Sequence, residues 1–514
     1  MTESGRGYPI RVDALLARAA ESRPDRPAVV FGGRTWTYGT VLDRARRLAS
    51  ALSGLGIVRG DRVALWATNR AEFVEVFFGV PMLGAIACPL DFWWTWQDVA
   101  AALAQTRPRV LIVGAAQLAA MQAADAGVRE LGVEHVLCLD EPAPAEASAS
   151  YQAALDAAVP LARPTPVVPT DPATILFTSG STGRSKGAVH THGGLTAAAV
   201  TMTLELGLAD DERTLHFLPL FSSCLEHLLP FTLVGATHVV MPHFDPPAVW
   251  ETVRDADITH FDAVPTTLRR LLEVAPAKVS DSLRMISYAS ERMPDPLITA
   301  LIDRMPHVRF IQFYGMIEHL CLTVLPAADQ LRKIGTVGRP MLGAELALLP
   351  VADGSDGAGE IIARSPSLFA GYWQDPDATN QVMRDGWMRT GDLGAFDQDG
   401  YLRLEGRLKE MIKTGGLTVI PSEVEAALVA HPAVADAAVV GVPDERWGEA
   451  VHAFVIPAPG ASVSAADLTA FCHERLAGYK RPKAIHVVTT LPRTGIGKVA
   501  RRVIREQLLA SDPN

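Results

Sequence analysis

The chain has 514 residues, of which 48% are hydrophobic and 20% are charged. That length corresponds to about two to four domains, and the composition is that of a globular protein, not of a disordered, collagen-like or coiled-coil chain. The 47 basic and 57 acidic side chains give a net charge of −10. This balance argues against nucleic acid as the main partner, because binding to a phosphate backbone needs a concentrated positive surface.

Cysteine usage and hydropathy indicate a reducing compartment and no membrane span. The five cysteines lie at least 50 positions apart and form no CxxC pair: Cys88, Cys138, Cys224, Cys321 and Cys472. Such scattered thiols fit neither a disulfide framework nor a zinc site. Residues 1–12 lack the apolar core of a signal peptide, and the most apolar uncharged stretch, 76–90, is too short to cross a bilayer. We therefore predict a cytoplasmic protein.

Helical and strand patterns alternate along the chain. From the N-terminus, hydrophobic spacing predicts a helix over 12–20, a strand over 28–31, a helix over 40–55 and a strand over 61–67. Further short apolar runs predict strands at 110–113, 175–177, 238–241, 285–288 and 309–313. Strands that alternate with helices predict an α/β fold with mostly parallel sheets flanked by helices.

The character of the chain changes near residue 406. Residues 406–514 carry 13 basic and 11 acidic side chains, whereas the longer segment before them is strongly acidic. We predict a large N-terminal domain over 1–405, built from subdomains, and a small α+β C-terminal domain over 406–514. A mildly basic domain beside an acidic one suggests a lid that meets an anionic ligand, although chance accounts for a charge difference of this size equally well.

The strongest local signal is a glycine-rich loop that follows the predicted strand at 175–177. It reads Thr178-Ser179-Gly180-Ser181-Thr182-Gly183-Arg184-Ser185-Lys186-Gly187. Glycines allow backbone N–H groups to approach an anion closely, hydroxyls add donors, and a lysine adds a compact positive charge. The loop is not a P-loop, because its lysine is followed by glycine and not by Ser or Thr. We interpret it as a phosphate-binding loop, the alternative being a flexible connection.

This loop resembles the signature loop of the adenylate-forming superfamily, which includes acyl- and aryl-CoA ligases, peptide-synthetase adenylation domains and luciferases. Ser185 stands where that family usually has proline. Further family-like motifs follow in order: Tyr314-Gly315-Met316-Ile317-Glu318, Arg389-Thr390-Gly391-Asp392, Gly406-Arg407-Leu408-Lys409-Glu410, and Leu491-Pro492-Arg493-Thr494-Gly495-Ile496-Gly497-Lys498. Gly371-Tyr372-Trp373 is a weaker companion. The resemblance extends from about residue 12 to residue 507.

The resemblance implies that a substrate carboxylate attacks the α-phosphate of ATP, giving an acyl-adenylate and pyrophosphate, before the acyl group passes to CoA. It implies that the phosphates are held by Thr178, Ser179, Gly180, Ser181, Thr182, Gly183 and Lys186. It implies that the adenine is held by Ser290, Glu291, Arg292, Tyr314 and Gly315. It implies that the ribose hydroxyls are bound by Asp392 and that Arg407 reinforces this contact.

Three residues are implied in the chemistry itself: Lys498, Glu318 and Lys186. By resemblance, Glu318 ligates Mg²⁺, which prefers hard carboxylate oxygen. Lys498 bridges the carboxylate and the α-phosphate in the transition state, a role that suits a point charge on a mobile domain. The family's C-terminal domain pivots between its two half-reactions, and the pivot implied here is Lys409.

The predicted acid pocket departs from the family pattern. Ile317 replaces the threonine of the Tyr-Gly-x-Thr-Glu motif, so one hydroxyl contact to phosphate and carboxylate is missing, unless His319 or Ser290 supplies it. Ser222 stands where an aromatic residue or histidine is common. The candidate lining residues are Phe221, Ser222, His227, Tyr288, Met316, Ile317 and His319. Their size and polarity favour a small aryl or polar-substituted acid over a long fatty chain.

Two classes of enzyme remain open from the sequence. The first is an AMP-forming acid–CoA ligase that uses ATP, Mg²⁺ and CoA. The second keeps the adenylation step but changes the acid or the acceptor, as in amide formation, carrier-protein loading, or nitrite activation for diazotisation of aryl amines. Retention of Lys186, Glu318, Asp392 and Lys498 argues against a non-enzymatic binding protein. We predict no nucleic-acid partner, no membrane span, and a monomer or homodimer.

Overall fold

A computed structural model describes residues 11–124, 127–143, 147, 149–178, 185–351, 357–493 and 499–511, without the side chains of 223–226 and 511. The chain divides into two compact units. The first comprises residues 1–345 and 364–384, and the second comprises 346–363 and 385–514. The second unit begins earlier in the sequence than residue 406. The domain boundary expected at 405/406 from the sequence stays a prediction.

The secondary structure alternates between helix and strand over most of the chain. The helices are α1 (Asp13–Ser22), α2 (Tyr38–Gly54), α3 (Glu72–Met82), α4 (Trp96–Thr106), α5 (Ala115–Ala123), α6 (Tyr151–Ala157), α7 (His192–Leu206), α8 (Leu220–Val234), α9 (Pro246–Asp255), α10 (Pro265–Glu273), α11 (Asp295–Arg304), α12 (Pro376–Val382), α13 (Pro421–Val429), α14 (Ala465–Arg475) and α15 (Arg501–Ser511).

The strands of the first half are β1 (Pro27–Phe31), β2 (Arg34–Thr37), β3 (Arg62–Trp66), β4 (Ile86–Pro89), β5 (Val110–Val113), β6 (His135–Cys138), β7 (Ala149–Ser150), β8 (Pro172–Thr178), β9 (Lys186–Thr191), β10 (Arg213–His216), β11 (Thr237–Val240) and β12 (His260–Ala263). They are followed by β13 (Met285–Tyr288), β14 (Arg309–Met316), β15 (Leu320–Leu325), β16 (Arg339–Pro340), β17 (Glu345–Pro350), β18 (Gly359–Arg364), β19 (Met383–Arg384), β20 (Trp387–Phe396), β21 (Leu402–Arg407), β22 (Ile412–Thr414), β23 (Leu417–Val419), β24 (Val434–Asp444), β25 (Gly448–Pro457) and β26 (Ala484–Val487).

Two sheets organise the first unit. A nine-stranded sheet has the order β16-β15-β14-β13-β12-β10-β11-β1-β2, and a seven-stranded sheet has the order β7-β6-β5-β3-β4-β8-β9. Neighbouring strands are parallel in the centre of both sheets and antiparallel at the ends that carry β2, β15, β16 and β9. Helices α9, α10 and α11 pack their apolar sides on one face of the nine-stranded sheet. Because parallel strands share their carboxyl edge, β10, β12, β13 and β14 all end at the same edge, where ligands bind in open α/β sheets.

The second unit is built on mainly antiparallel strands. Strand β20 pairs antiparallel with both β18 and β21, and a further sheet has the order β23-β22-β25-β24 with β26 beside β25. Helices α13 and α14 bury their apolar sides against this second sheet. A short 3₁₀ helix, Leu408–Glu410, follows β21.

The predicted architecture is confirmed. Each of the seven predicted strands and both predicted helices forms within a few residues of its expected position, and helices flank largely parallel sheets. The four cysteines whose side chains are described are all buried: Cys88, Cys138, Cys321 and Cys472. Among the described residues, we find no helix with the length and apolar character that crossing a bilayer requires.

Candidate active site

A tight hairpin presents Glu318. Strands β14 and β15 pair Met316 with Leu320, which leaves Ile317, Glu318 and His319 as a three-residue turn. Leu320 has a φ of 61°, the left-handed residue that commonly ends such a turn. A leucine in this region costs about 1–3 kcal/mol, so the surrounding contacts must hold the turn in place. The glutamate therefore sits buried in a strained turn and not at a solvated helix start.

The glycine of the Tyr-Gly motif has a steric explanation. A Cβ atom at Gly315 would lie 1.7 Å from the carbonyl oxygen of Leu320 on the facing strand. No real Cβ atom approaches a backbone oxygen that closely, so any larger residue would push the two strands apart. Gly315 thus allows the register that places Glu318 at the tip of the hairpin.

Tyr372 links Glu318 to Lys186. The Tyr372 hydroxyl donates a 2.6 Å hydrogen bond to Glu318 Oε1. The Lys186 Nζ lies 4.9 Å from the centroid of the Tyr372 ring, within the range of a cation–π contact. Burial and the neighbouring Glu318 carboxylate raise the pKa of Tyr372, so its hydroxyl stays protonated and acts as a donor. One tyrosine thereby holds both a predicted metal ligand and a predicted phosphate ligand.

The segment around Tyr372 is itself anchored on two sides. The backbone N–H of Phe369 donates to the Glu318 carbonyl at 2.8 Å. Farther along, the Trp373 N–H donates to the Gly187 carbonyl at 2.7 Å, and Tyr372 forms an antiparallel bridge with Ala188 on β9. The segment therefore spans from the hairpin turn to the strand that begins at Lys186.

The histidines beside the turn are neutral. Burial lowers the pKa of His319 to about 3, with a further lowering by His190, and burial lowers the pKa of His190 to about 4. His319 Nδ1 lies 3.2 Å from the Ser365 hydroxyl, and the His319 carbonyl accepts from Ser367 at 2.9 Å. These two rings carry no charge near neutral pH, so they do not attract a phosphate. Among the side chains described in this section, Lys186 is the positive charge near Glu318 that suits a phosphate.

Strands β8 and β9 flank the glycine-rich loop. Thr178 and Lys186 are register partners at the ends of these antiparallel strands, so the two ends of the loop lie side by side. The predicted phosphate ligands Ser179, Gly180, Ser181, Thr182 and Gly183 lie outside the described residues. Their role stays a prediction.

The predicted adenine-binding residues lie at or just beyond the ends of two adjacent strands. Ser290, Glu291 and Arg292 follow β13, and Tyr314 lies in β14 and is buried. Ser290 is exposed with a φ of 74°, a conformation that costs a non-glycine residue about 1–3 kcal/mol and is common at functional sites.

The predicted ribose ligands form an ion pair within the second unit. Asp392 on β20 and Arg407 on β21 are register partners, and Arg407 Nε lies 3.0 Å from Asp392 Oδ1. Asp392 is buried, and its backbone N–H donates to the Thr390 hydroxyl at 3.0 Å. The predicted pivot, Lys409, lies in the 3₁₀ helix that follows. Lys498 lies outside the described residues.

The predicted pocket residues fall on more than one side of the nine-stranded sheet. Phe221 and Ser222 lie half-buried in the first turn of α8, and His227 on the same helix contacts Ser287 at 3.1 Å. Tyr288 points to the opposite face, because neighbouring strand residues alternate, and its hydroxyl donates to Gln330 at 2.6 Å. The structure therefore does not bring Tyr288 and His227 together.

The hairpin holds the other predicted pocket residues. Met316 ends β14, Ile317 packs against the main core cluster, and His319 is fully buried. Whether these side chains contact an acid stays a prediction.

The donor set around Glu318 fits Mg²⁺ bound together with nucleotide. No group of three or more metal-ligating side chains occurs among the described residues. Mg²⁺ usually takes one or two carboxylates and completes its shell with water and substrate phosphates, so a single buried carboxylate is a suitable protein ligand. Glu318 would hold the ion, and the ion would supply charge neutralisation at the phosphates.

Several contacts were not foreseen from the sequence. Tyr372 stood only in a weak companion motif, and its link to Glu318 spans 54 positions. Asp262 and Ser287, which contact His227, were not singled out at all. Their signal was available in principle, since each is a polar residue inside a short, buried strand.

Known proteins resemble this chain in sequence and in fold. Residues 16–373 match the AMP-binding enzyme family, and residues 423–498 match the AMP-binding enzyme C-terminal domain. The chain is 37% identical over 500 residues to a feruloyl-CoA synthase from Amycolatopsis sp, covering 95% of this chain and 97% of that protein.

Two solved structures are similar over nearly the whole length. An anthranilate CoA ligase in complex with anthranoyl-AMP has a TM-score of 0.88 at 29% identity and covers 100% of both chains. An amide bond synthetase from Marinactinospora thermotolerans has a TM-score of 0.87 at 29% identity, covering 97% of this chain and 99% of that one. With the motifs in order and the family match over most of its length, the chain belongs to the AMP-binding enzymes, the adenylate-forming superfamily that includes the acid–CoA ligases.

Proposed function

We propose that this enzyme activates a small aryl or polar-substituted carboxylic acid with ATP and Mg²⁺ and transfers the acyl group to CoA, releasing AMP and pyrophosphate. The observation that carries the proposal is the arrangement of Glu318, Tyr372 and Lys186 beside the strands that flank the glycine-rich loop. Phosphoryl chemistry of this kind depends on positioning and charge neutralisation, which these side chains can supply.

The remaining roles follow by residue. Thr178, Lys186 and the loop between them would hold the phosphates, and Tyr314 would stack on the adenine. In the second unit, Asp392 would accept hydrogen bonds from the ribose hydroxyls, and Arg407 would orient that carboxylate. We propose further that residues 406–514 rotate about Lys409 between adenylation and thioester formation. We also propose a cytoplasmic location, because the scattered cysteines fit a reducing compartment, and a monomer or homodimer.

Pyrophosphate release with a panel of carboxylic acids tests the proposal, each acid being assayed with and without CoA. We expect release with small aryl acids, and acyl-CoA as the product by mass spectrometry. Lys498→Ala should lower adenylation by about 100-fold or more while ATP still binds, because the charge that bridges the two reacting anions is lost. If no acid supports pyrophosphate release, the proposal is wrong. Normal turnover by the Lys498 variant would remove that residue from the mechanism.

A second candidate keeps adenylation but changes the acid or the acceptor. Ile317 lacks the hydroxyl that the family motif carries, and its side chain packs against the core instead. The similarity to an amide bond synthetase makes an amine acceptor chemically reasonable. Assays with aryl amines, with a carrier protein, and with nitrite plus an aryl amine separate these cases. Turnover that needs nitrite and an amine but not CoA would replace the ligase proposal.

A further inference from the structure

A buried polar network lies between α8 and the nine-stranded sheet. Ser287 on β13 donates to Asp262 Oδ1 on β12 at 3.0 Å. Two histidines approach the same hydroxyl, His260 Nε2 at 2.9 Å and His227 Nε2 at 3.1 Å. His260 Nδ1 in turn lies 3.0 Å from the Thr214 hydroxyl. These five side chains come from three strands and one helix.

The donors of this network point toward Asp262. Burial lowers the pKa of His260 far below its usual value, so the ring is neutral and carries one proton. Because the Ser287 hydroxyl gives its proton to Asp262, it must accept from the histidines, which puts the His260 proton on Nε2. Thr214 then donates to Nδ1. The chain of hydrogen bonds therefore runs from Thr214 through His260 and Ser287, and its last acceptor is the Asp262 carboxylate.

Asp262 is also the member of this network whose side chain is most exposed to solvent among those compared here. Its side chain is 14% exposed, compared with 4% for His227, and Ser287 and His260 are fully buried. A carboxylate can accept about four hydrogen bonds. Ser287 and the Ala263 backbone amide provide two, and His227 Nε2 lies 3.5 Å from Oδ1, which still leaves capacity for a ligand.

The position of Asp262 suits the far end of a small acid. Asp262 and Ser287 each stand next to the last residue of their strand, at the same sheet edge as the hairpin turn that carries Glu318. Strand β12 is two strands away from β14, which corresponds to roughly 10 Å. An aromatic acid whose carboxylate reacts near Glu318 would therefore reach Asp262 with its distal substituent.

We propose that Asp262, oriented by Ser287 and His227, selects acids whose distal end donates a hydrogen bond, such as a phenolic hydroxyl or an aryl amine. The proposal rests on the proposed function, because it assumes that an acid is adenylated at the Glu318 turn. A carboxylate at this position favours donors, and it disfavours a second carboxylate at the distal end through repulsion between like charges. Burial raises the pKa of Asp262 to about 7, and a bound donor would favour the ionised form.

Matched acids test this selectivity. For wild type we expect kcat/KM for 4-hydroxybenzoate and 4-aminobenzoate to exceed that for benzoate by at least about tenfold, with terephthalate the poorest substrate. Asp262→Asn is nearly isosteric and removes the charge. The Asp262→Asn substitution should lower the preference for 4-aminobenzoate over benzoate at least about fivefold. It should also raise the rate with terephthalate relative to the rate with benzoate. The exposed Asp295, at the start of α11, gives the matched control Asp295→Asn, which should leave every ratio unchanged.

Ratios between substrates keep the test independent of folding, since partial unfolding lowers all rates equally. Asp262→Ala, which removes the acceptor altogether, should bring all four acids toward equal kcat/KM. If wild type shows no preference for the donor-bearing acids, or if both Asp262 variants keep the wild-type ratios, this assignment is wrong while the ligase function stands. If no acid releases pyrophosphate even in wild type, the proposed function itself has failed.

Discussion

Two buried polar clusters of the first unit are built in different ways. The Glu318 turn is set by close backbone packing: Gly315 admits the facing carbonyl, and Tyr372 ties the carboxylate to Lys186. The Asp262 network is set mainly by side chains, drawn from β10, α8, β12 and β13. The first cluster coincides with the motifs that the family shares, and the second coincides with none of them. The difference suggests that backbone geometry holds the common chemistry, whereas exchangeable side chains choose the acid.

The largest effect is expected from Gly315→Ala, which attacks the backbone packing directly. The new Cβ would meet the Leu320 carbonyl at 1.7 Å, so the hairpin must open and Glu318 must move. We expect destabilisation of about 4 kcal/mol or more and loss of pyrophosphate release. Thermal unfolding and the activity assay measure both. Gly54→Ala is the control, because nothing lies within 4 Å of a Cβ there. An unperturbed Gly315 variant would refute the steric explanation.

Glu318→Gln tests the carboxylate without disturbing the turn. The amide keeps the shape but removes the charge that would hold Mg²⁺, so pyrophosphate release should fall by about 100-fold or more and require higher Mg²⁺ concentrations. A Mg²⁺ titration of the rate is the measurement. Glu345→Gln, on an exposed strand residue, should behave as wild type. An unchanged Mg²⁺ dependence would take Glu318 out of the metal site.

Tyr372→Phe should have a smaller effect, because it removes one hydrogen bond and keeps the ring. The Glu318 carboxylate loses its 2.6 Å donor, and we expect kcat/KM to fall about tenfold and the reaction to require somewhat higher Mg²⁺ concentrations. Tyr372→Leu also removes the ring beneath Lys186 and should lower the rate a few-fold further. Tyr38→Phe is the control, because it removes another buried tyrosine hydroxyl, one that donates to the Ala236 carbonyl. It should lower the stability of the protein and leave the Mg²⁺ dependence of the rate unchanged. Equal behaviour of the Tyr38 and Tyr372 variants would show that Tyr372 is only structural.

The two clusters should differ in the sign of their pH dependence. His319 has a folded-state pKa of about 3 against 6.5 unfolded, so the unfolded state binds more protons and stability is lost as pH falls below 6.5. Asp262 has a folded-state pKa of about 7 against 3.8, so its contribution is present at low pH and is lost as pH rises through 7. Between pH 5 and 8 each effect is at most about 2–3 kcal/mol, and that of Asp262 is the larger.

Unfolding midpoints at pH 5 and pH 8 measure these signs. Relative to wild type, His319→Asn should lose less stability on acidification, and Asp262→Asn should gain stability as pH rises. The same sign for both variants would contradict the burial of one of the two groups.

Sequence patterns by themselves determined the family, the α/β class and the existence of a distinct C-terminal region. They could do so because hydrophobic periodicity and ordered motifs are local features that each segment carries alone. Glu318, Lys186 and Asp392 were also predicted in this way, each inside a contiguous motif.

Only the tertiary structure decided how distant residues meet. Tyr372 reaches Glu318 because residues 369–373 run along β9, and Asp262 reaches His227 because β12 lies beneath α8. Tyr288 was predicted beside His227, yet strand alternation turns it to the other face of the sheet. Contacts across 35 or more positions depend on strand order, register and the face on which a helix packs, and no local pattern in the chain encodes those three choices.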